Sequence, residues 1–226
     1  MELQKSNKLV PIYCVLVIVT FITILVIPQT RDVFKAATAA HPYLLGFVKF
    51  ALLATVGELF AIRLSTGVFR LPKGVVARAL VWGFLGAILA LLFKLYSNGI
   101  IAIMDMGLLP GGENKFLFAL FSSCAMNCTF APTMMVFHKI TDKAIDMKAD
   151  GEALVSLKHV VSKVDWVGLI GFTIAITIPF FWIPAHTISF MLPGEYQIIM
   201  AAFLSIALGL ILGIGTNASK KQVVVK

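Results

Sequence analysis

The stretch Arg78–Tyr96, RALVWGFLGAILALLFKLY, decides how the chain folds. Its nineteen residues would form a helix of about 28 Å at about 1.5 Å per residue, which matches the hydrocarbon thickness of a bilayer. Arg78 and Trp82 lie at one end, and Lys94 and Tyr96 lie at the other. Such residues anchor membrane-spanning helices at the two interfaces, so the stretch predicts a transmembrane helix.

This helix has one face of small residues, on which Ala79, Gly83, Gly86, Ala87 and Ala90 repeat at three- and four-residue spacing. Small residues let helix backbones approach closely in lipid, where the hydrophobic effect does not itself hold helices together. We therefore expect this face to pack on protein. The opposite face carries leucine and phenylalanine, and we expect it to meet lipid or a second bulky surface.

The composition of the whole chain indicates an integral membrane protein. Of its 226 residues, 59% are hydrophobic and 13% are charged, against roughly 25% charged in soluble domains. A net charge of +8 is also found in nucleic-acid-binding proteins, but here no basic patch is interleaved with aromatic residues. We predict one transmembrane bundle domain over residues 1–226, with the lipid bilayer as its partner and no nucleic acid.

Six apolar segments have the length of membrane-spanning helices, and they predict an all-α bundle of six transmembrane helices. They cover residues 9–27, 43–62, 78–96, 116–137, 166–183 and 198–215. The last carries Gly209 and Gly213 at the small-xxx-small spacing of closely packed helices. Apolar residues at helical spacing over about 153–164 predict an amphipathic helix on the membrane surface. The first residues of the loop over 97–115 are apolar, so the sequence is compatible either with a surface loop or with a segment that is half inserted into the membrane.

The distribution of lysine and arginine predicts the orientation of the bundle, because these residues collect in cytoplasmic loops. With the N-terminus inside, the outer loops hold only Arg31, Lys35 and Lys115. The other basic residues outside the apolar segments then all fall on the inner side. Both termini are therefore predicted to face the cytoplasm.

Ionisable residues within the apolar segments are candidates for function, because burying a lone charge in hydrocarbon costs about 2.5–3.5 kcal/mol. Lys49 and Lys94 lie near the outer surface, where snorkelling to the interface explains them and a pathway role is the alternative. Glu58 lies near the inner boundary. We expect it to form an ion pair with Arg78 of the next helix, with a gate or coupling site as the sharper alternative.

The fourth segment is unusually polar at its middle, where Asn127 is flanked by Ser123 and Thr129. Prolines that we expect to kink this segment and the next are Pro132, Pro179 and Pro184. Kinked helices with polar groups at the midplane are where transporters and channels bind solutes. Hydrogen bonding between helices without transport is the alternative interpretation. The candidate pathway or gating residues are Asn127, Ser123, Thr129, Glu58, Arg78 and Lys94.

Catalytic and metal-binding patterns are absent from the sequence. No HExxH, GxSxG or GxxxxGK occurs, and we predict no enzymatic activity, no cofactor and no metal site. Cys14, Cys124 and Cys128 all lie in apolar segments, which argues against a disulfide framework. Cys124 and Cys128 share a helix face, but packing explains them better than metal ligation, because too few ligands converge.

A series of short motifs runs from about Phe47 to the last helix. It comprises Gly57-Glu58, Arg78, Gly83-Phe84-Leu85-Gly86-Ala87, Leu92-Phe93-Lys94, Met126-Asn127 before Pro132, Ile183-Pro184, Ser189-Phe190 and Pro193. In order and spacing the series resembles the small peroxisomal and mitochondrial inner-membrane proteins grouped with the 22-kDa peroxisomal membrane protein. Ala87, Leu92 and Met126 stand where that family has proline, tryptophan and aspartate. The resemblance implies a channel-like role linked to the passage of metabolites or ions.

The leading hypothesis is a non-enzymatic membrane protein that forms a small-solute or ion pathway as a homo-oligomer. A bacterial plasma membrane is the preferred location, with an organelle membrane as the alternative. The runner-up is a structural or regulatory membrane protein without conduction, and an intramembrane lipid enzyme is less favoured. A wet cavity reaching Asn127 favours the pathway and a dry bundle favours the runner-up. A cavity open to lipid, with Glu58 or His186 meeting a polar partner, favours the enzyme.

The predicted orientation can be tested by thiol labelling in a variant that lacks the three native cysteines. A cysteine introduced as Lys73→Cys or Lys148→Cys should be shielded from an impermeant reagent applied outside the cell, because both positions are predicted to be cytoplasmic. Glu113→Cys, in an outer loop, should react. Labelling of position 148 from outside would overturn the six-span arrangement.

Overall fold

The computed structural model describes residues 8–152 and 155–224, with side chains as far as residue 209. These residues form helices and no strand, as predicted. The regular helices are α1 Leu9–Val26, α2 Pro28–Ala40, α3 Pro42–Thr66, α4 Val75–Asp105, α5 Lys115–Ala149, α6 Leu157–Ser162, α7 Trp166–Gly168, α8 Ile183–Met191 and α9 Gly194–Val224. Between α7 and α8 the chain forms two π-helical segments, Leu169–Ile174 and Ile178–Trp182.

Five helical segments are long and apolar enough to cross a membrane, and they include α1, α3, α4 and α5. The fifth is Trp166–Met191, called here the broken helix because it contains the π-helical turns. The part of α9 with described side chains, Gly194–Gly209, is a shorter apolar helix. The sixth span and the side on which the termini lie therefore remain predictions. Gly213 lies beyond the described side chains.

Several helices extend past the predicted spans, because the helical backbone can continue beyond the point where the sequence changes from apolar to polar residues. Helix α4 runs on to Asp105, so residues 97–105 are helical rather than part of a loop. Helix α5 passes Pro132 and ends at Ala149. Its polar end contains an i,i+4 pair in which His138 Nδ1 lies 3.0 Å from Asp142 Oδ2. Helix α6 lies within the predicted amphipathic segment, of which residues 153 and 154 lie outside the described residues.

Helix α2 has no counterpart in the predicted spans. It begins at Pro28, directly after α1 ends, and the proline occupies the first turn, where its missing N–H costs no hydrogen bond. Helix α3 begins in the same way at Pro42, and the residue that follows its last turn is Gly67, whose φ of 81° is the left-handed conformation that closes a helix. Helices α1, α2 and α3 pack against one another.

The contacts divide the chain into two compact units. The first combines the chain up to Gly86 with the chain from Ala202 onward, and the second is Ala87–Ala201. In the second unit α5 packs along α8 and along both π-helical segments. A core between these elements is formed by Ala131, Met135, Val164, Leu169 and Ile178.

The small-residue face of α4 packs on α3 at its glycines. A Cβ atom added to Gly83 would lie 2.6 Å from the Phe47 ring, and one added to Gly86 would overlap the Gly46 carbonyl oxygen. Ala90, farther along, is 3% exposed, and Ala87 is half-buried. The close approach explains why side chains larger than hydrogen are missing at the two glycines.

The bulky face of α4 is also covered by protein. Leu85, Leu89 and Phe93 are 2%, 4% and 1% exposed. The sequence allowed either lipid or a second bulky surface on this side, and the second is found. Because protein covers both the small-residue face and the bulky face of α4, the exposed apolar residues of this helix form a narrow strip between them. They include Leu80, Phe84, Leu91 and Leu95.

In the first unit α3 and α9 cross at two glycines. A Cβ atom added to Gly57 would lie 2.9 Å from the Ser205 carbonyl oxygen, and one added to Gly209 would lie 2.6 Å from the Gly57 carbonyl oxygen. The two backbones are therefore in direct contact at this crossing. The sequence predicted such close packing at Gly209.

We expect Gly57→Ala to destabilise the protein by about 1–3 kcal/mol, because the added methyl group meets backbone atoms that cannot rotate away. Gly99→Ala is a matched control in the interior of α4, where a Cβ atom has nothing within 4 Å. There the better helix propensity of alanine should stabilise by about 1 kcal/mol. Thermal unfolding in detergent measures both changes, and equal Tm values for the two variants would contradict the proposed crossing.

Candidate functional site

A histidine and an asparagine meet inside the second unit. His186 Nδ1 lies 3.1 Å from Asn127 Oδ1, where α8 packs along α5. The Asn127 side chain is 0% exposed and His186 is 5% exposed. Both residues belong to helices that are long and apolar enough to cross a membrane. Their polar groups must therefore find hydrogen-bonding partners within the protein.

The hydrogen bonds of this Asn127–His186 pair have one consistent direction. Ser123 Oγ donates to the Ile183 carbonyl oxygen at 2.7 Å, so its lone pairs accept from Asn127 Nδ2 at 3.2 Å. Asn127 Nδ2 also donates to the Ser123 carbonyl oxygen at 2.9 Å. Asn127 Oδ1 therefore faces His186, and it can only accept. It follows that neutral His186 carries its proton on Nδ1.

Aromatic rings enclose the imidazole of His186. The Trp182 ring stacks on it with centroids 5.2 Å apart and planes inclined by 28°. The Phe93 ring meets it at 89° with centroids 5.7 Å apart, and Phe190 packs on Phe93 at 4.7 Å. The hydrogen-bonding and aromatic partners of His186 among the described residues are uncharged. The pair thus lies in an apolar environment in which its hydrogen bonds are electrostatically strong.

The backbone that carries His186 departs from a regular α-helix. In the broken helix, Ala175 N donates to the Ile170 carbonyl oxygen, five residues back, at 3.0 Å. Pro179 and Pro184 have no N–H to donate and so leave carbonyl oxygens without their helical partners. Pro179 lies in the second π-helical segment and Pro184 in the first turn of α8. These wide turns lead directly into the helix that presents His186.

The structure brings only two of the six candidate pathway residues, Ser123 and Asn127, to this pair. Thr129 is exposed, donates to the Ala125 carbonyl oxygen at 2.6 Å and accepts from Tyr96 Oη at 2.6 Å. Its α-helical position turns it away from Asn127, two residues earlier. The Lys94 side chain is exposed.

His186 is the central residue that the sequence analysis missed as a pathway candidate. The predicted fifth span ended at residue 183, where the continuous apolar run stops, and this placed His186 outside the membrane. The broken helix continues to Met191, so the histidine lies within it. An ionisable residue two positions after Pro184 was the available signal.

In the first unit, Glu58 and Arg78 form the expected ion pair. Arg78 Nη1 lies 3.0 Å from Glu58 Oε1, and the side chains are 8% and 20% exposed for Arg78 and Glu58. Arg78 Nε also donates to the Lys73 carbonyl oxygen at 3.2 Å. Arg63, five residues after Glu58 on the same helix, donates to the Gly67 carbonyl oxygen. Whether the pair gates a pathway stays a prediction.

The sequence suggested that Lys49 snorkels to the interface, but the structure buries this side chain within the protein. It is 1% exposed, its Nζ donates to Thr38 Oγ1 at 2.9 Å, and the ammonium lies 4.3 Å from the centroid of the Phe34 ring. Helix α2, which was not predicted, supplies both partners. A hydroxyl group and an aromatic face replace the contact with water that snorkelling would have given.

Metal ligation and family membership find no support. Within the part of the chain that the structure describes, no group of three or more His, Cys, Asp or Glu side chains is placed to hold a metal ion. No family model, curated protein or solved structure matches the chain. The resemblance to the peroxisomal family therefore remains a prediction from the motifs quoted above.

We expect Glu58→Gln to lower the free energy of unfolding by up to about 3 kcal/mol, because Arg78 would keep a poorly solvated charge. The double variant Glu58→Gln/Arg78→Gln should recover part of that loss. Denaturation of the detergent-solubilised protein measures both effects, and Glu113→Gln, which is exposed, is the control. Strictly additive effects of the two substitutions would show that the pair contributes no coupling energy.

Proposed function

We propose that the protein forms a pathway for a small solute or ion through the membrane, with the Asn127–His186 pair as its closed constriction. The observation that carries the proposal is an imidazole that is 5% exposed within a membrane-spanning helix and bonded to a buried amide. Ionisable groups in such helices are costly to bury, and they typically mark substrate and proton pathways. Apolar residues of similar size would pack the bundle without this cost.

The broken helix supports the same proposal. Interrupted helices in transporters leave backbone carbonyl groups near the substrate, and π-helical turns are frequent at functional sites. Here the Ile183 carbonyl oxygen accepts from two side chains, Ser123 Oγ at 2.7 Å and Thr187 Oγ1 at 2.7 Å. A rearrangement of the turns over residues 169–182 would open the pair to a solute.

The resemblance to the peroxisomal family, which implies a channel-like role, agrees with this proposal. We take the protein to be non-enzymatic, to act as a homo-oligomer and to reside in a bacterial plasma membrane, with an organelle membrane as the alternative. Many apolar side chains of α1 are exposed and suit contact with lipid or with another copy. They include Leu9, Ile12, Val15, Leu16 and Val19.

A second candidate is a structural or regulatory membrane protein without conduction. The full burial of Asn127 favours it, since the amide finds its partners within the protein. Such hydrogen bonds between helices are worth about 0.6 kcal/mol on average in lipid. An intramembrane lipid enzyme is less favoured. His186 does meet a polar partner, but lipid would have to displace the packed aromatic rings before reaching it.

Asn127→Leu should lower solute flux into proteoliposomes at least several-fold when the flux is normalised to the amount of folded protein, because loss of the bond to His186 also lowers stability. Leucine has a similar volume but removes the polar group that a solute would have to pass. A panel of ions and metabolites should be tested against the parent protein first.

The matched control for this experiment is Asn98→Leu, the same substitution at an exposed position of α4, which should keep the parental flux. Flux that survives Asn127→Leu would contradict the proposed constriction. A parent protein that conducts nothing would favour the second candidate.

A further inference from the structure

Two polar atoms beside the Asn127–His186 pair have no partner among the described residues. Because His186 donates through Nδ1 to Asn127 Oδ1, its Nε2 carries a lone pair in the neutral imidazole, and no described residue donates to it. Trp182 Nε1, on the ring stacked against His186, is buried and has no acceptor. One unpaired acceptor and one unpaired donor therefore lie on neighbouring rings.

An unpaired buried donor such as Trp182 Nε1 is unfavourable in an apolar interior, because it has lost water without gaining a protein partner. A molecule that donates to His186 Nε2 and accepts from Trp182 Nε1 would satisfy both atoms. A hydroxyl group has both a donor and an acceptor. A bare metal ion offers no acceptor to Trp182 Nε1, and an anion without an O–H or N–H group offers no donor to His186 Nε2.

The residues around His186 also disfavour the binding of a charged molecule. Among the described residues, His186 contacts Asn127, Trp182 and Phe93, all of them uncharged. On α4, Lys94 is exposed, and the Tyr96 hydroxyl is bonded to Thr129. An ion bound at His186 would thus lack a counter-charge where burial of a charge is costly.

We infer that His186 and Trp182 form a recognition site for a small uncharged solute with hydroxyl groups, for which glycerol is the probe. This inference rests on the proposed pathway, since the solute reaches the two rings only when the packing around the pair opens. The inference restricts the class of transported solute from any small molecule or ion to neutral polyols. Asn127 is the positioning residue, because its carbonyl group fixes the imidazole proton on Nδ1 and leaves Nε2 free to accept.

The first test is nitrogen NMR of purified protein that carries ¹⁵N-histidine in phosphatidylcholine nanodiscs, with the His186 signals identified by their loss in His186→Gln. At neutral pH we expect a protonated Nδ1 and an unprotonated Nε2. Added glycerol should shift the Nε2 signal of His186, whereas His159, whose Nε2 lies 3.1 Å from Glu152 Oε2, serves as the reference for effects of glycerol that do not depend on the site. A proton on Nε2 with a bare Nδ1, or a His186 shift no larger than that of His159, would overturn the inference.

The second test uses Trp182→Phe, which keeps an aromatic ring against His186 and removes the indole N–H. The glycerol response of His186 should become about three- to tenfold weaker, the effect of one lost hydrogen bond. The Tm should not fall, because the deleted donor had no described partner. Trp166→Phe is the matched control, since Trp166 Nε1 donates to the Val161 carbonyl oxygen at 2.9 Å. It should lower the Tm and leave the glycerol response unchanged, and the reverse pattern would contradict the site.

Flux measurements in proteoliposomes separate this inference from the proposed function. Glycerol entry that falls in Trp182→Phe, with potassium chloride excluded, supports both. Passage of potassium chloride without glycerol would overturn the polyol site and leave the pathway standing. A glycerol-dependent shift of His186 without flux of any solute supports the site and overturns the pathway.

Discussion

The hydrocarbon interior of a membrane offers no hydrogen-bonding partners, and this constraint governs the described part of the chain. Backbone groups satisfy it by forming helices, and side chains satisfy it by bonding to one another. Lys49 bonds to Thr38, Glu58 to Arg78 and Asn127 to His186. Each of these bonds joins residues of two different helices. A polar residue that looks anomalous in one apolar segment therefore specifies which neighbouring helix must lie beside it.

Close packing holds the helices together, because the hydrophobic effect provides no attraction between helices in lipid. At Gly57 and Gly209 the backbones of α3 and α9 touch, and at Gly83 and Gly86 the backbone of α4 fits against α3. Such contacts tolerate almost no added volume. The polar bonds select the partners of a helix, and the glycines determine how near those partners can come.

The broken helix differs from the others because part of its backbone hydrogen bonding is irregular. Its wide turns include hydrogen bonds that reach five residues back, as from Ala175 N to the Ile170 carbonyl oxygen, and its two prolines have no N–H to donate. Such a segment is held less uniformly than a regular helix, and it carries the imidazole that is central to the candidate site. This combination of a buried titratable group and an irregular backbone is the physical basis for assigning function here rather than at the Glu58–Arg78 pair.

The sequence by itself determined the helical class, because long apolar segments with polar ends admit no other structure in a membrane. It also identified Asn127, Ser123 and the Glu58–Arg78 pair, since polar groups inside apolar segments stand out. Tertiary structure decided which of them meet. The sequence could not show that His186 lies within a helix long and apolar enough to cross a membrane, because π-helical turns continue that helix past the end of its apolar run. Nor could it show that α2 covers Lys49. Both outcomes depend on contacts between residues distant in sequence, and local hydropathy carries no information about those contacts.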